Sequence, residues 1–114
     1  MAVSVITLLE LAHGIARADT PERREKRQRF LNEMMSVLPI HPITAAVALR
    51  AGQIDGQSQA KGIRIPLSDL LIGVTALELG YRIATHNERH FKQIPGLKNH
   101  RALAVPFSLP NYVP

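Results

Sequence analysis

Residues 63–81, IRIPLSDLLIGVTALELGY, decide the fold of this chain. Apolar side chains surround the stretch Leu67–Leu79, and a helix that is apolar on all sides lies inside a protein. Gly80 is placed to end this helix, because glycine readily adopts the left-handed conformation found at helix C-termini. Residues 81–85 then predict a strand that leaves the helix. A buried helix followed at once by a strand indicates an α/β fold.

Upstream of this segment, the spacing of apolar residues predicts three more helices. Residues 4–16 predict a buried helix entered from a very short strand, with Ser4 or Thr7 as its N-cap. Thr20 and Pro21 match the cap and first position of a second helix, which is charged at first and apolar towards Val37. A third helix is predicted to begin near residue 44 and to stop at residue 62. Its predicted inner face consists of Ala45, Ala48, Ala51 and Ile54.

Short apolar segments between the helices predict the strands. Residues 37–40 form one candidate, which Pro39 restricts to an edge or a strand end because proline lacks a backbone donor. His41 and Pro42 are then expected to turn the chain. Residues 86–91 predict a helical turn and residues 102–105 a final strand. Helices alternating with short strands predict a mostly parallel sheet.

Length and composition favour one compact domain over residues 1–114, since 46% of the residues are hydrophobic and no linker or repeat interrupts the chain. The absence of cysteine excludes disulfides and thiolate sites, and fits the cytoplasm. The apolar stretch 2–9 has no preceding basic residues and is too short for a membrane span. A net charge of +5 favours an anionic partner such as nucleic acid or an acidic protein segment.

Three polar residues fall where strand ends or helix starts are predicted: Glu10, Asp69 and Asn87. If the sheet is parallel they can share one crevice, where oxygen ligands suit Mg²⁺ or Mn²⁺. Each also has a simpler interpretation. Glu10 stands three residues after Thr7, the spacing of a capping box. Asp69 fits an acid that complements a helix dipole, and Asn87 fits a turn residue.

Histidine and basic residues permit further interpretations. His86 and His90 are four apart, a spacing that can hold zinc, but the glutamate required after the first histidine is replaced by asparagine. The basic run at residues 23–29 is typical of a solvated helix face, with nucleic-acid binding as the alternative. The residues that flank the proposed crevice in chain order, and that we expect to contact phosphate, are Arg64, Arg89 and Lys92. His13 and His41 are expected to be structural or exposed.

Four short segments together carry a family resemblance. They are SVITLLEL at residues 4–11, SDLLI at 68–72, THNERHF at 85–91 and IPGL at 94–97. In this order and spacing they resemble the motifs of VapC-type PIN domains. The resemblance implies a three-layer α/β/α fold and a Mg²⁺-dependent endoribonuclease toxin, paired with an antitoxin that masks its site.

Residue by residue, Glu10 matches the second acid of the family and Asp69 the third. Asn87 falls at the fourth position, where the family carries aspartate or asparagine, and Thr85 matches the threonine before it. The resemblance therefore implies catalytic roles for all four residues and metal ligation by the two acids and the asparagine.

The family's first strand and the helix after it have no counterpart before Met1. That strand lies in the middle of the family's sheet and ends in its first metal-binding aspartate. We therefore expect a PIN-like fold truncated at its N-terminus, with unpaired backbone groups unless another segment or a second chain fills the gap. With two carboxylates instead of three, we expect weak metal binding and little cleavage. The alternative function is binding alone, as a homodimer built on helices such as residues 21–38 or as a partner of the antitoxin.

Overall fold

Four helices and four strands make up the part of the chain that the computed structural model describes, which is residues 1–84, 92–96 and 101–104. In chain order they are β1 (Ala2–Ser4), α1 (Val5–Ala16), α2 (Pro21–Val37), β2 (Ile40–His41), α3 (Ala45–Ala60), α4 (Leu67–Leu79), β3 (Tyr81–Ala84) and β4 (Arg101–Ala104). None of these helices is both long and apolar enough to cross a membrane.

The four strands form one parallel sheet in the order β2-β1-β4-β3. Val3 of β1 is in register with Ile40 of β2 on one side and with Ala104 of β4 on the other. The strand β4 therefore lies between β1 and β3 and pairs with both. The sequence predicted unpaired backbone groups where the family's first strand is missing, unless another segment filled the gap. In the described sheet β4 fills that gap and pairs with β1.

Helices cover both faces of the sheet. Neighbouring residues of a strand point to opposite faces, and Ala2 and Val3 belong to two different core clusters. Ala2 packs in a cluster with α3 and α4, which includes Val47, Leu70 and Ile72. Val3 packs in a second cluster with α1 and α2, through Leu11 and Met34. These two clusters make the three-layer α/β/α arrangement that the family resemblance implies.

The helix ends follow local chemistry. Thr20 caps α2 by accepting a hydrogen bond from the Arg23 amide at 3.1 Å, as predicted. Thr44 caps α3 in the same way. Gly80 ends α4 with φ of 70°, the left-handed conformation predicted for it.

Two predicted strand features are wrong in detail. Val37 is the last residue of α2 and is 74% exposed, so the strand predicted at residues 37–40 begins only at Ile40. His41 belongs to that strand and does not turn the chain. β2 is an edge strand, as Pro39 indicated, and the Pro39 carbonyl accepts a hydrogen bond from the Val3 amide.

The inner face of α3 was also predicted incorrectly in part. Ala51 and Ile54 are buried, but Ala45 and Ala48 are exposed. Val47 and Ser58 are buried in their place. Alanines on a helix carry little information about its orientation, since each contributes little apolar area to either environment.

Candidate active site

Glu10 and Asp69 are brought together by the packing of α1 against α4. Asp69 lies in the first turn of α4, where the helix dipole favours a negative charge. Glu10 lies in the middle of α1, and Ile6, one turn earlier on that helix, packs against the core cluster that contains α4. Both carboxylates are half-buried. The charge of Asp69 is close enough to raise the pKa of Glu10, and that the two acids share one crevice stays a prediction.

The start of α1 removes the simpler interpretation of Glu10. Ser4 is the N-cap of α1 and its hydroxyl accepts a hydrogen bond from the Ile6 amide at 3.1 Å. The helix already includes Thr7, which is fully buried, so Thr7 cannot serve as the N-cap of a capping box with Glu10. The capping-box interpretation was wrong, because the helix begins one turn earlier than that interpretation requires.

The surroundings of Glu10 disfavour its charged form. Burial between the helices raises the pKa of Glu10 above its ordinary value, and the negative charge of Asp69 raises this pKa further. The molecule thus holds two acids close enough to repel each other. A cation between them would relieve both the repulsion and the loss of hydration.

The chemistry of this pair fits a hard divalent ion such as Mg²⁺ or Mn²⁺, which takes oxygen ligands and keeps several waters when few carboxylates are available. Within the described residues, no group of three or more acidic, histidine or cysteine side chains is placed to hold a metal. In that part of the chain Glu10 and Asp69 stand as a pair, and metal binding by this pair stays a prediction.

The other predicted site residues lie before α4 or after β3. β3 ends at Ala84, in register with Ala104 of β4, just before the predicted site residue Thr85 in the sequence. Arg64 is exposed in the segment that leads into α4, and Lys92 is exposed. The predicted residues that lie outside the described part of the chain are Thr85, Asn87 and Arg89, together with the zinc candidates His86 and His90.

Two further histidines named from the sequence, His13 and His41, are placed as expected. His13 is exposed on α1. The His41 ring forms a hydrogen bond of 3.2 Å between its Nε2 and the Tyr81 hydroxyl, with the two rings edge to face at 5.4 Å between centroids. Since β2 and β3 are the outer strands of the described sheet, this bond links its two edges.

One arrangement near the carboxylates was missed by the sequence reasoning. His13 and Arg17 follow Glu10 by three and seven residues, so all three lie on one side of α1. The signal for this arrangement was the separation of His13 and Arg17 from Glu10 by three and seven residues, which the sequence already contained. It became informative only once Glu10 was seen to face α4.

A family model described as PIN domain matches residues 1–97. The chain therefore belongs to the PIN domain family. The parallel sheet and the helices on both of its faces agree with that assignment.

Within the family, the chain is similar to VapC ribonucleases. It is 31% identical to Ribonuclease VapC2 of Rickettsia felis over 97 residues, which cover 85% of this chain and 70% of that protein. It is 31% identical to the tRNA(fMet)-specific endonuclease VapC of Salmonella typhimurium over 98 residues, 86% of this chain and 72% of that protein. The resemblance to VapC-type PIN domains is confirmed.

A solved structure shows the same fold. The crystal structure of VapBC2 from Rickettsia felis bound to a DNA fragment from its promoter superposes with a TM-score of 0.75 at 30% identity, covering 88% of this chain and 73% of that chain.

Proposed function

We propose that this protein is a Mg²⁺-dependent endoribonuclease toxin of a toxin–antitoxin module, which hydrolyses phosphodiester bonds of RNA. The observation that carries the proposal is the pairing of Glu10 with Asp69 at the packed faces of α1 and α4. The names of its relatives, ribonucleases and a tRNA endonuclease, support the substrate class.

Each residue has a role in this proposal. Glu10 and Asp69 would hold Mg²⁺ or Mn²⁺, and Asn87 would add a weaker amide ligand, with Thr85 as the further catalytic residue that the family resemblance implies. When bound, the metal supplies a water of lowered pKa and neutralises charge on the phosphate. The cations that would hold the RNA backbone in this proposal are Arg64, Arg89 and Lys92.

We expect slow cleavage, because two carboxylates in the described part of the chain provide less charge to retain a divalent ion than three would. Activity should therefore rise with metal concentration into the millimolar range without early saturation. Mn²⁺ should support cleavage at least as well as Mg²⁺, since it binds oxygen and mixed ligand sets more tightly.

The direct test measures cleavage of RNA as Mg²⁺ or Mn²⁺ is increased, for the native sequence and for Glu10→Gln, Asp69→Asn and Glu25→Gln. Glu25 is an exposed acid on α2 and serves as a matched control for loss of one negative charge. Both site variants should lose metal-dependent cleavage, while the control retains it. Cleavage that persists in EDTA, or that survives Asp69→Asn, would refute the proposal.

Metal binding can be separated from cleavage by thermal unfolding. A ligand that binds only the native state stabilises it by about 2.7 kcal/mol at roughly 100 times its Kd. Mg²⁺ should therefore raise the melting temperature of the native sequence and of Glu25→Gln, but not of Asp69→Asn. An equal rise in all three proteins would place the metal elsewhere.

Binding without efficient cleavage is the second candidate function, favoured by the two-carboxylate site. The similar structures are VapBC assemblies, which supports a cognate antitoxin as partner.

We also propose association of two copies through helices such as α2, where Met35 and Val37 are 48% and 74% exposed. Light scattering at micromolar concentration should then give twice the mass of one chain, and a monomer would contradict the dimer.

A further inference from the structure

One side of α1 leads from the carboxylate pair to the surface. Ile6, Glu10, His13 and Arg17 are three or four residues apart, so they form a single stripe along the helix. At its start, Ile6 packs into the core cluster that contains α4, and Glu10 is half-buried beside Asp69. At its end, His13 and Arg17 are exposed. The stripe therefore changes from a half-buried acid to an exposed histidine and an exposed arginine within two helical turns.

A second cationic group is fixed at the same end of α1. Arg24 of α2 donates from Nη2 to the Ala18 carbonyl at 3.3 Å, just beyond α1. Arg27 donates from Nη1 to the Gly14 carbonyl in the last turn of α1. These bonds tie two guanidinium groups of α2 to the end of α1. A guanidinium carries five donors, so the exposed Arg24 keeps its charge and further donors after making one such bond.

The positive charges of Arg17 and Arg24 are largely uncompensated by nearby acidic side chains. Asp19 forms its ion pair with Arg23, at 2.9 Å. Glu22 and Glu25 lie roughly 160° and 100° around α2 from Arg24, at 3.6 residues per turn. Among the described residues, the two ion pairs, Arg23 with Asp19 and Arg50 with Glu78, involve neither Arg17 nor Arg24. The junction of α1 and α2 therefore presents a net positive surface.

We propose that His13, Arg17 and Arg24 form a phosphate-binding surface that holds the RNA strand on its way to the Glu10–Asp69 pair. The inference rests on the proposed ribonuclease function and adds the path of the substrate. Arg17 is seven residues beyond Glu10, about 10 Å along α1 at 1.5 Å per residue. That length corresponds to about three nucleotides at the roughly 3.4 Å rise of a stacked strand. Phosphate contacts there position the strand without reading its sequence.

The test is equilibrium binding of a fluorescein-labelled oligouridylate to the full chain in EDTA, so that binding is measured without cleavage. The variants are Arg17→Gln and, as a matched control, Arg29→Gln. Arg29 is an exposed arginine of α2 that lies roughly 160° around the helix from Arg27. Both substitutions remove one positive charge, and only the first removes it from the proposed surface.

Arg17→Gln should weaken binding and reduce the slope of log affinity against log salt by about 0.7, the contribution of one phosphate contact to a single strand. The ratio of native to Arg17→Gln affinity should then shrink about 2.5-fold between about 50 and about 200 mM salt. Arg29→Gln should keep the native slope. Equal slopes for the two variants would overturn the inference, as would oligoglutamate binding as tightly and with the same dependence on Arg17.

Cleavage assays distinguish this inference from the function on which it rests. If the native chain cuts RNA in Mg²⁺ and Arg17→Gln binds and cuts as well as Arg29→Gln, the surface is refuted and the ribonuclease function stands. If binding depends on Arg17 but no metal supports cleavage, the proposed function fails and the phosphate-binding surface is supported.

Discussion

At the residue scale, Glu10 and Asp69 repel each other between α1 and α4, and burial adds to the cost of the Glu10 charge. The raised pKa means that the native state holds its proton on Glu10 to higher pH than the unfolded chain does. As pH rises from the ordinary glutamate pKa of 4.5 through the raised native pKa, the unfolded chain loses this proton first. The contribution of Glu10 to the free energy of unfolding therefore decreases over that window.

Replacing Glu10 with glutamine should remove the decrease in the free energy of unfolding that accompanies ionisation of Glu10. In EDTA at about pH 7, Glu10→Gln should raise the melting temperature by roughly 2–4 °C, which corresponds to about 0.5 kcal/mol for a partly exposed pair. The difference should vanish below about pH 4, where the native glutamate is protonated. Thermal unfolding as a function of pH measures it, with Glu25→Gln as control. A lower melting temperature at neutral pH would show that Glu10 makes a stabilising contact.

At the element scale, α4 and α3 contain glycines with opposite roles. Gly80 ends α4 in the left-handed conformation, with φ of 70°, and a side chain there would meet no atom within 4 Å. Position 80 therefore requires glycine because of the backbone conformation, and not because a side chain would lack space. Gly52 lies inside α3, and a side chain there would also meet no atom within 4 Å.

The same substitution should therefore have opposite effects at the two positions. Gly80→Ala should lower the free energy of unfolding by about 1 kcal/mol, because alanine is disfavoured in the left-handed region. Gly52→Ala should raise it by roughly 0.5–1 kcal/mol, because alanine restricts the unfolded chain and favours the helix. Urea unfolding of both variants gives the two values. A loss of stability in Gly52→Ala would show that another surface approaches α3 closely at that point.

At the scale of the whole molecule, β4 holds the sheet together. It pairs with β1 on one side and β3 on the other, although its sequence is almost 100 residues away from that of β1. Removing a backbone donor from an inner strand disrupts its pairing with a neighbour.

A proline in β4 tests this topology. Leu103→Pro should lower stability by on the order of 3 kcal/mol or abolish cooperative unfolding, since proline is excluded from inner strands. Ala45→Pro is the matched control, because Ala45 is the exposed first residue of α3, where proline is well tolerated. Circular dichroism melts compare the two. If Leu103→Pro melts like the native chain, β4 does not pair on both sides.

The predictions at the helix ends and for the strands at residues 81–85 and 102–105 agree with the structure, whereas the strand near residue 37 was misplaced for a physical reason. Helix ends were predicted well because the signals are local: Thr20 with Pro21 begins α2, and Gly80 ends α4. The bounds of α4, Leu67–Leu79, were predicted without error. The strand near residue 37 was not, since apolar residues at the end of a helix and in a short strand look alike over four positions.

The amino-acid sequence by itself determined the helices, the parallel α/β class and the family, because caps, apolar periodicity and short motifs are properties of neighbouring residues. Tertiary structure decided the rest. The place of β4 between β1 and β3 depends on hydrogen bonds between distant segments. The change of Glu10 from a capping candidate to a partner of Asp69 depends on where α1 begins and on which side of it faces α4. Such contacts arise only when the chain has packed, since the residues that make them belong to different helices and strands and are not neighbours in the sequence.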